Sequence, residues 1–527
     1  TPSTTPSTTG RREWAALAVL CLPLLIVSMD VSVLFFAVPS IAAQLDPSAT
    51  QMLWIFDIYG FALAGLLLTM GNVADRIGRR RLLLLGALAF GAASVLAAYA
   101  PNAEWLIVAR ALLGVGGSTL MPSTLAIIRT VFDDEAARAK AVAAWSAVLA
   151  AGVGLGPVVA GVLLEHFWWG SVFLINVPFM LVLLVVGPLL LPESRSAGAR
   201  FDLLGSLLSL AAILPIINAL KEFAADGWAL VLLAQVALGL VAGVAFLWRQ
   251  RVVTSPMVDL TLFRIRGFGG SVAIQVIGMF GMMGSAILTT QYLQSVLGYS
   301  ALSAALWGLV PALFVGGAAP TAAAIATRVG RPPVMAGAFV VAALGFVGIR
   351  FAGVDSTIWV VLAASTFIAI GLVAVATLVT EYAIGVAPAD RAGSVSALVE
   401  TASEFGGALG MAVLGSVLAA VYRSRLSELL PGVLTNEVTA PAGETLGGAT
   451  VVAERVGGDA GAAILGAARA AYVFGMHTAV LVAAGAAVLG AVIALTALPR
   501  RPIGQVAEEG ESQGAGDPAP PPTRVAR

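Results

Sequence analysis

Five carboxylates and one guanidinium interrupt otherwise apolar runs of this sequence: Asp30, Asp57, Glu381, Glu400, Glu404 and Arg110. Asp30 lies in LIVSMDVSVLF, and from residue 14 to residue 43 nothing else carries a formal charge. A helix laid through that run holds Asp30 about 24 Å from its start, at ~1.5 Å rise per residue. That is bilayer-core depth, where an ionisable side chain is costly unless paired or hydrated, so a functional role is the expectation. Arg110, in LIVARALLGVGG, is equally out of place on a packing helix. Glu400 and Glu404 are four residues apart and share one helix face, whereas Glu381 is nearer the end of its run. Rings accompany the acids: Trp54, Phe56 and Tyr59 around Asp57, and Phe405 beside Glu404. The chemistry open to such a set is proton exchange with water on either side, and the binding of lipophilic cations through charge pairing and cation–π contact. The bland alternatives are structural pairing of the acids with Arg110 and ordinary packing of the rings.

Only a membrane fold holds charges at such depth. The chain has 527 residues, 59% hydrophobic and 11% charged, whereas about a quarter charged is usual for a soluble domain. The expected class is therefore all-α integral membrane. Fourteen apolar stretches reach the ~20 residues that cross a ~30 Å hydrocarbon core. Basic residues alternate between successive loops, at 11–12, 76–81, 129–140, 195–200, 249–266, 328–331 and 391, which places both termini in the cytoplasm. Lys221, Arg350 and the last outer loop depart from that alternation.

An internal repeat orders the stretches. DRIGRRRLLLLGA at 75–87 matches TRVGRPPVMAGA at 327–338 with an offset of 252 (Gly330 against Gly78), which maps spans one to six onto spans nine to fourteen. The expected organisation is a disordered tail over 1–13, a six-helix bundle over 14–191, an inserted helix pair over 203–248, a second six-helix bundle over 267–498, and a disordered tail over 501–527. A long extracytoplasmic loop over 422–471 contains DAGAAILGAARAAYVF, expected as a helical cap on the outer face or as plain disorder.

Several functions lack a seat. Neither lysine, Lys140 or Lys221, has the Gly-Lys-Ser/Thr context of a phosphate-binding loop, so ATP hydrolysis by that route is excluded. No GxSxG elbow, HExxH or paired zinc-ligand spacing occurs. The lone Cys21 and the separated His166 and His477 read as packing or helix-end residues. The expectation is no enzyme, no metal, no nucleic acid, and no cofactor, with a proton gradient as the energy source.

Two further motifs are sharper. GNVADRIGRRR at 71–81 is a short turn between spans two and three that carries Gly71, Asp75, Arg76, Gly78, Arg79 and Arg80. GVGLGPVVAG at 152–161 sets Gly152, Gly156 and Gly161 beside Pro157 in span five, so that another helix can come close and the span can bend. Together with MDVSVLFFAVP in span one and APADRAGSVSALVETASEFGGALG leading through span thirteen, they resemble the fourteen-helix drug:proton antiporters of the major facilitator superfamily. The likeness runs from residue 14 to residue 498 and is greatest to actinobacterial-type multidrug and quaternary-ammonium pumps.

The resemblance implies a major facilitator fold with 14 transmembrane helices in a 6+2+6 order, working as a monomeric secondary transporter in a bacterial inner membrane. It implies alternating access for lipophilic, often cationic drugs against protons. Asp30 would couple proton and substrate, Asp57 would assist it, and Arg110 would tune it. Glu400, Glu404 and Glu381 would receive cationic drug or proton, with Trp54, Phe56, Tyr59 and Phe405 as cavity rings. The 71–81 loop would lock helix ends, and Gly152, Gly156, Pro157 and Gly161 would form the antiporter-type helix. Thr327 replaces the aspartate in the second loop copy, and Ala160 stands where glycine is usual. The tenth span, 301–325, lacks the acid carried there by relatives specialised for divalent cations. A dedicated exporter of one metabolite, antibiotic or lipid from the same superfamily is the alternative.

Overall fold

Apolar helices dominate because a bilayer offers no hydrogen-bond partner to an open backbone, so each crossing segment must satisfy its own N–H and C=O groups. In the computed structural model, the described residues are 10–132, 134–194, 202–226, 228–253, 256, 258, 260–386, 392–430 and 440–499. Most of both expected tails lies outside them, and the first helix already begins at Arg11.

The first half contains α1 (Arg11–Leu45), α2 (Ala49–Ile77), α3 (Arg79–Ala98), α4 (Ala103–Val131), α5 (Glu135–His166), and a sixth span made of α6 (Ser171–Leu174) and α7 (Asn176–Leu190). Polar residues at the turns start these helices. Ser48 and Gln51 form a capping box on α2, Asn102 accepts from Trp105 N on α4, and Asp134 accepts from Ala137 N on α5. Next comes the pair α8 (Leu203–Asp226) and α9 (Leu230–Val252). The second half contains α10 (Phe268–Gln291), a tenth span of α11 (Ala301–Val315) and α12 (Ala318–Val329), α13 (Arg331–Gly348), α14 (Ile358–Val386) and α15 (Ala392–Leu429). Two short helices follow, α16 (Ala440–Glu444) and α17 (Leu446–Val456), before α18 (Gly458–Ala497) completes the chain. Fourteen spans among the described residues are long and apolar enough to cross a membrane, so this is a multi-pass membrane protein.

The 252-residue repeat reappears in space. Gly78 and Gly330 both take positive φ, 115° and 92°, to turn the chain between α2 and α3 and between α12 and α13. Only glycine holds such backbone angles without strain.

The expected outer loop is shorter than its span of residues. α15 continues to Leu429 and α18 begins at Gly458, so DAGAAILGAARAAYVF is the first part of the last membrane helix and not a separate cap. The cap is α16 with α17. Glu444 accepts from Ala49 N at the start of α2 and pairs with Arg423 of α15 at 2.9 Å, while the Tyr422 hydroxyl donates to Ala442 O.

The halves meet at the end away from the termini. There Ala42 of α1 abuts Gly447, Leu53 of α2 abuts Gly415 of α15, Glu165 of α5 accepts from Ser300, and Gly161 lies against Leu302 of α11. The hairpin α8–α9 packs against both α2 and α15, beside this seam.

Candidate functional site

The deepest charges form a network across five helices. Asp30 of α1 is 4% exposed and forms an ion pair with Arg110 of α4, itself 1% exposed. The Arg110 Nε donates to Ile55 O on α2 at 3.1 Å. Asn176, at the start of α7, donates to Asp30 Oδ1 at 3.4 Å and to Ser94 Oγ of α3 at 3.1 Å. The guanidinium also lies 4.5 Å from the centroid of the Tyr59 ring. Each charge in this network therefore has its opposite, which offsets the cost of removing both from water.

Asp57 has a different partner from the one its sequence position suggests. It does not join the Asp30 network but pairs with Lys221 of α8 at 2.8 Å, both side chains being fully buried. Lys221, which the loop-charge pattern assigns to an outer loop, is inside the membrane helix α8 and faces inward. Its ammonium sits 3.8 Å from the Trp54 ring centroid, and Trp54 Nε1 donates to Asn218 Oδ1 at 3.1 Å. Trp54 thus serves the α2–α8 seam, and Phe405 packs with Phe61 at the neighbouring seam with α15. Neither ring lines the central cavity.

That cavity has a volume of about 620 Å³ and lies between the halves, with walls from α1, α2, α4, α5, α10, α11, α14 and α15. Its surface is mainly apolar and includes Phe35, Phe36, Phe56, Tyr59, Met279, Met282, Met283 and Met411. Glu400 and Glu404 reach it from α15, and Arg110 reaches it from the opposite half. Neither glutamate has an ion-pair or hydrogen-bond partner among the described residues. Their helix is fixed to α10 by Gln275, whose Nε2 donates to Ser403 Oγ at 2.5 Å, and by Gly406, where a Cβ would fall 2.5 Å from Val276 O. Glu381 stands apart. It is on the rim of α14, is exposed, and pairs with Arg331 at 3.5 Å, so the structure separates it from Glu400 and Glu404.

The glycines of the fifth span face two helices. A Cβ at Gly152 or Gly156 would meet Ser28 or Ser32 of α1, and one at Gly161 would fall 2.5 Å from Leu302 Cα of α11. Pro157 lies between them inside α5 and lines the cavity. The 71–81 loop is held by a residue its motif does not contain. Glu193, just after α7, accepts from Arg80 N and Arg81 N at 3.2 Å each, placing a carboxylate on the N-terminus of α3. Arg79 reaches Ala126 O and Thr130 of α4, and Arg80 reaches Pro188 O and Leu191 O. Arg76 is exposed, Gly71 lies in the last turns of α2, and the Asp75 side chain lies outside the described residues.

Sequence reasoning missed Asn176, Lys221 and Glu193. A lone amide in INVPF was the available signal for Asn176, and a cation at the end of an apolar run the signal for Lys221. Nothing local marks Glu193.

Similarity to known proteins agrees with this geometry. The chain is 42% identical to the multidrug efflux pump LfrA of Mycolicibacterium smegmatis over 496 residues, covering 93% of this chain and 98% of that protein. It is 33% identical to the methyl viologen resistance protein SmvA of Salmonella typhimurium, covering 91% and 96%. In fold it is similar to a bacterial homologue of the human lysosomal transporter Spinster in an inward-facing, unoccupied conformation, with a TM-score of 0.62 at 17% identity, covering 92% and 98%. It is also similar to the nucleoside transporter NupG, with a TM-score of 0.59 at 12% identity, covering 93% and 100%. The profile of the Major Facilitator Superfamily matches residues 20–411, and with the fourteen spans and the central cavity this places the chain in that superfamily as a secondary transporter, not an enzyme.

Proposed function

We propose that this protein is a proton-driven multidrug efflux antiporter that exports lipophilic, often cationic compounds by alternating access, with both termini in the cytoplasm. One observation carries the reading: two carboxylates without a partner among the described residues, Glu400 and Glu404, face an apolar, ring- and methionine-lined cavity, while Asp30 and Asp57 are each neutralised by a cation. Such a cavity suits flat or flexible apolar cations, since methionine and aromatic side chains adapt to shape and the glutamates supply charge. The names of the pumps in Mycolicibacterium smegmatis and Salmonella typhimurium support this substrate class.

In the proposed cycle a cationic drug enters from the terminus-bearing end and pairs with Glu400 or Glu404. The contacts at the far end, among them Glu165 with Ser300 and Gly161 with Leu302, then part. A proton from outside is taken up at the glutamates or at Asp30. Protonation of Asp30 breaks its ion pair, and the freed Arg110, which also lines the cavity, repels the cation. No cofactor takes part, and a monomer suffices.

The test is uptake of ethidium and several other cationic dyes into inverted vesicles on imposing a proton gradient, with and without a protonophore. Uptake of no dye would sink the multidrug reading, and uptake indifferent to the protonophore would sink proton coupling. Uptake confined to one compound of a wide panel would point to a dedicated exporter.

A further inference from the structure

The hairpin α8–α9 has no counterpart in the 252-residue repeat, yet it carries a fully buried lysine, Lys221. Its contacts with its two neighbours differ in kind. Toward α2 they are ionic and polar: Lys221 Nζ to Asp57 Oδ2 at 2.8 Å, Lys221 over the Trp54 ring, and Trp54 Nε1 to Asn218 Oδ1. The packing there is also close, since a Cβ at Gly65 would come within 2.5 Å of Leu210 Cδ2. Toward α15 they are apolar, in a cluster of Ile217, Ile213 and Leu214 with Ala408 and Ala412 that Phe61 of α2 also joins. The hairpin itself is locked. Asp202 at the start of α8 pairs with Arg249 of α9 at 2.7 Å, Asn218 donates to Gln235 of α9 at 3.2 Å, and a Cβ at Gly239 would fall 2.8 Å from Ala212 O.

α2 belongs to the first half and α15 to the second, so in any alternating-access cycle the two move past each other at this seam. The ion pair resists sliding, because shearing Lys221 from Asp57 strands two charges in a medium without water. An apolar surface slides at little cost, since one alkyl contact replaces another. We propose that Lys221 is a positioning residue that fastens the inserted hairpin to the first half through Asp57, so that α8–α9 travels with α2 as one rigid body and slides across α15. Asp57 then acts as the anchor for Lys221, apart from the proton route through Asp30 and the cavity glutamates. The proposal rests on the transport reading above.

The test starts from a Cys21→Ala parent, whose dye export checks the transport reading by itself. Gly65→Cys with Leu210→Cys ties α8 to α2, and Ile217→Cys with Ala412→Cys ties α8 to α15. With short bis-methanethiosulfonates, whose links are disulfides, the first cross-link is expected to leave export within about twofold of the reduced protein. The second is expected to reduce it at least tenfold, with recovery on reduction. Export blocked by the first link and spared by the second, or affected equally by both, overturns the proposal.

A second arm needs no substrate. Lys221→Met is expected to lower the melting temperature in detergent, and Asp57→Asn/Lys221→Met to restore it. In the double variant carrying Gly65→Cys, the thiol accessibility of that cysteine at the α2–α8 seam is expected to stay raised because the fastening is gone. A double variant no more stable than Lys221→Met, or one whose seam is as protected as in the parent, refutes the role of the pair.

Discussion

Replacing Asp30 by asparagine isolates the charge at the centre of the network. The substitution leaves the Arg110 guanidinium buried, with 2% of its side chain exposed and no counter-ion. Removing one partner of a buried ion pair costs about 3–5 kcal/mol. The asparagine carbonyl can still accept from Arg110, and a hydrogen bond to a charged group returns about 1.5–3 kcal/mol. The Arg110 bond to Ile55 O is untouched. Asp30→Asn should therefore fold and insert, with a net loss of about 0–3.5 kcal/mol by these two figures. Among the described residues, Arg110→Met leaves Asp30 with the 3.4 Å contact from Asn176, and it should lose about 3–5 kcal/mol when Asp30 is ionised. The double variant buries no charge here, so its loss should fall short of the summed single losses by about 2–3 kcal/mol, the scale of coupling between residues in contact. Melting in detergent measures these stabilities, and proton-driven ethidium uptake in proteoliposomes measures function. All three variants are expected to be inactive in proton-driven export. Strictly additive losses would show that the pair is not coupled, and wild-type export by Asp30→Asn would remove Asp30 from the proton route.

Three further outcomes follow from the cavity and the seams. Glu400→Gln and Glu404→Gln should each raise the half-saturating concentration of a cationic dye about tenfold, the equivalent of about 1.4 kcal/mol, without lowering the melting temperature. An unchanged dye affinity in both would show that neither glutamate meets the substrate. Gly161→Leu places a Cβ 2.5 Å from Leu302 Cα and should overpack the closed end by roughly 1–3 kcal/mol. Cysteines introduced along the cavity should then become more reactive from the far side, and unchanged reactivity would contradict a contact there that holds the halves together. Gly78→Ala should cost roughly 1–3 kcal/mol, because alanine is strained at φ 115° and its Cβ would fall 2.5 Å from Glu193 Oε1. The milder Glu193→Gln should lose only about 0.3–1 kcal/mol, readable as a small drop in melting temperature that high salt does not deepen.

The number and order of the spans were legible without coordinates because a bilayer imposes one thickness on every crossing segment and one sign on the loops of one face. The repeat at Gly78 and Gly330 was legible for a similar reason, since a turn with positive φ needs glycine wherever it occurs. Depth in an apolar run singled out Asp30, Arg110, Glu400 and Glu404, since charge in hydrocarbon is costly whatever surrounds it. What a linear pattern could not supply was which charge meets which. Asp30 finds Arg110 across 80 residues and Asn176 across 146, and whether an acid ends up neutralised or bare depends on helix rotation and tilt. Thus Asp57, one span on from the expected proton site, was claimed by a lysine that the loop pattern had put in water, and Glu381 was drawn to Arg331 at the rim. The cavity follows the same logic. The run lengths determined that fourteen spans cross a membrane, and only their packing left Glu400 and Glu404 without a partner among the described residues at an apolar wall, because pairing of charge is decided by three-dimensional neighbours and not by position along the chain.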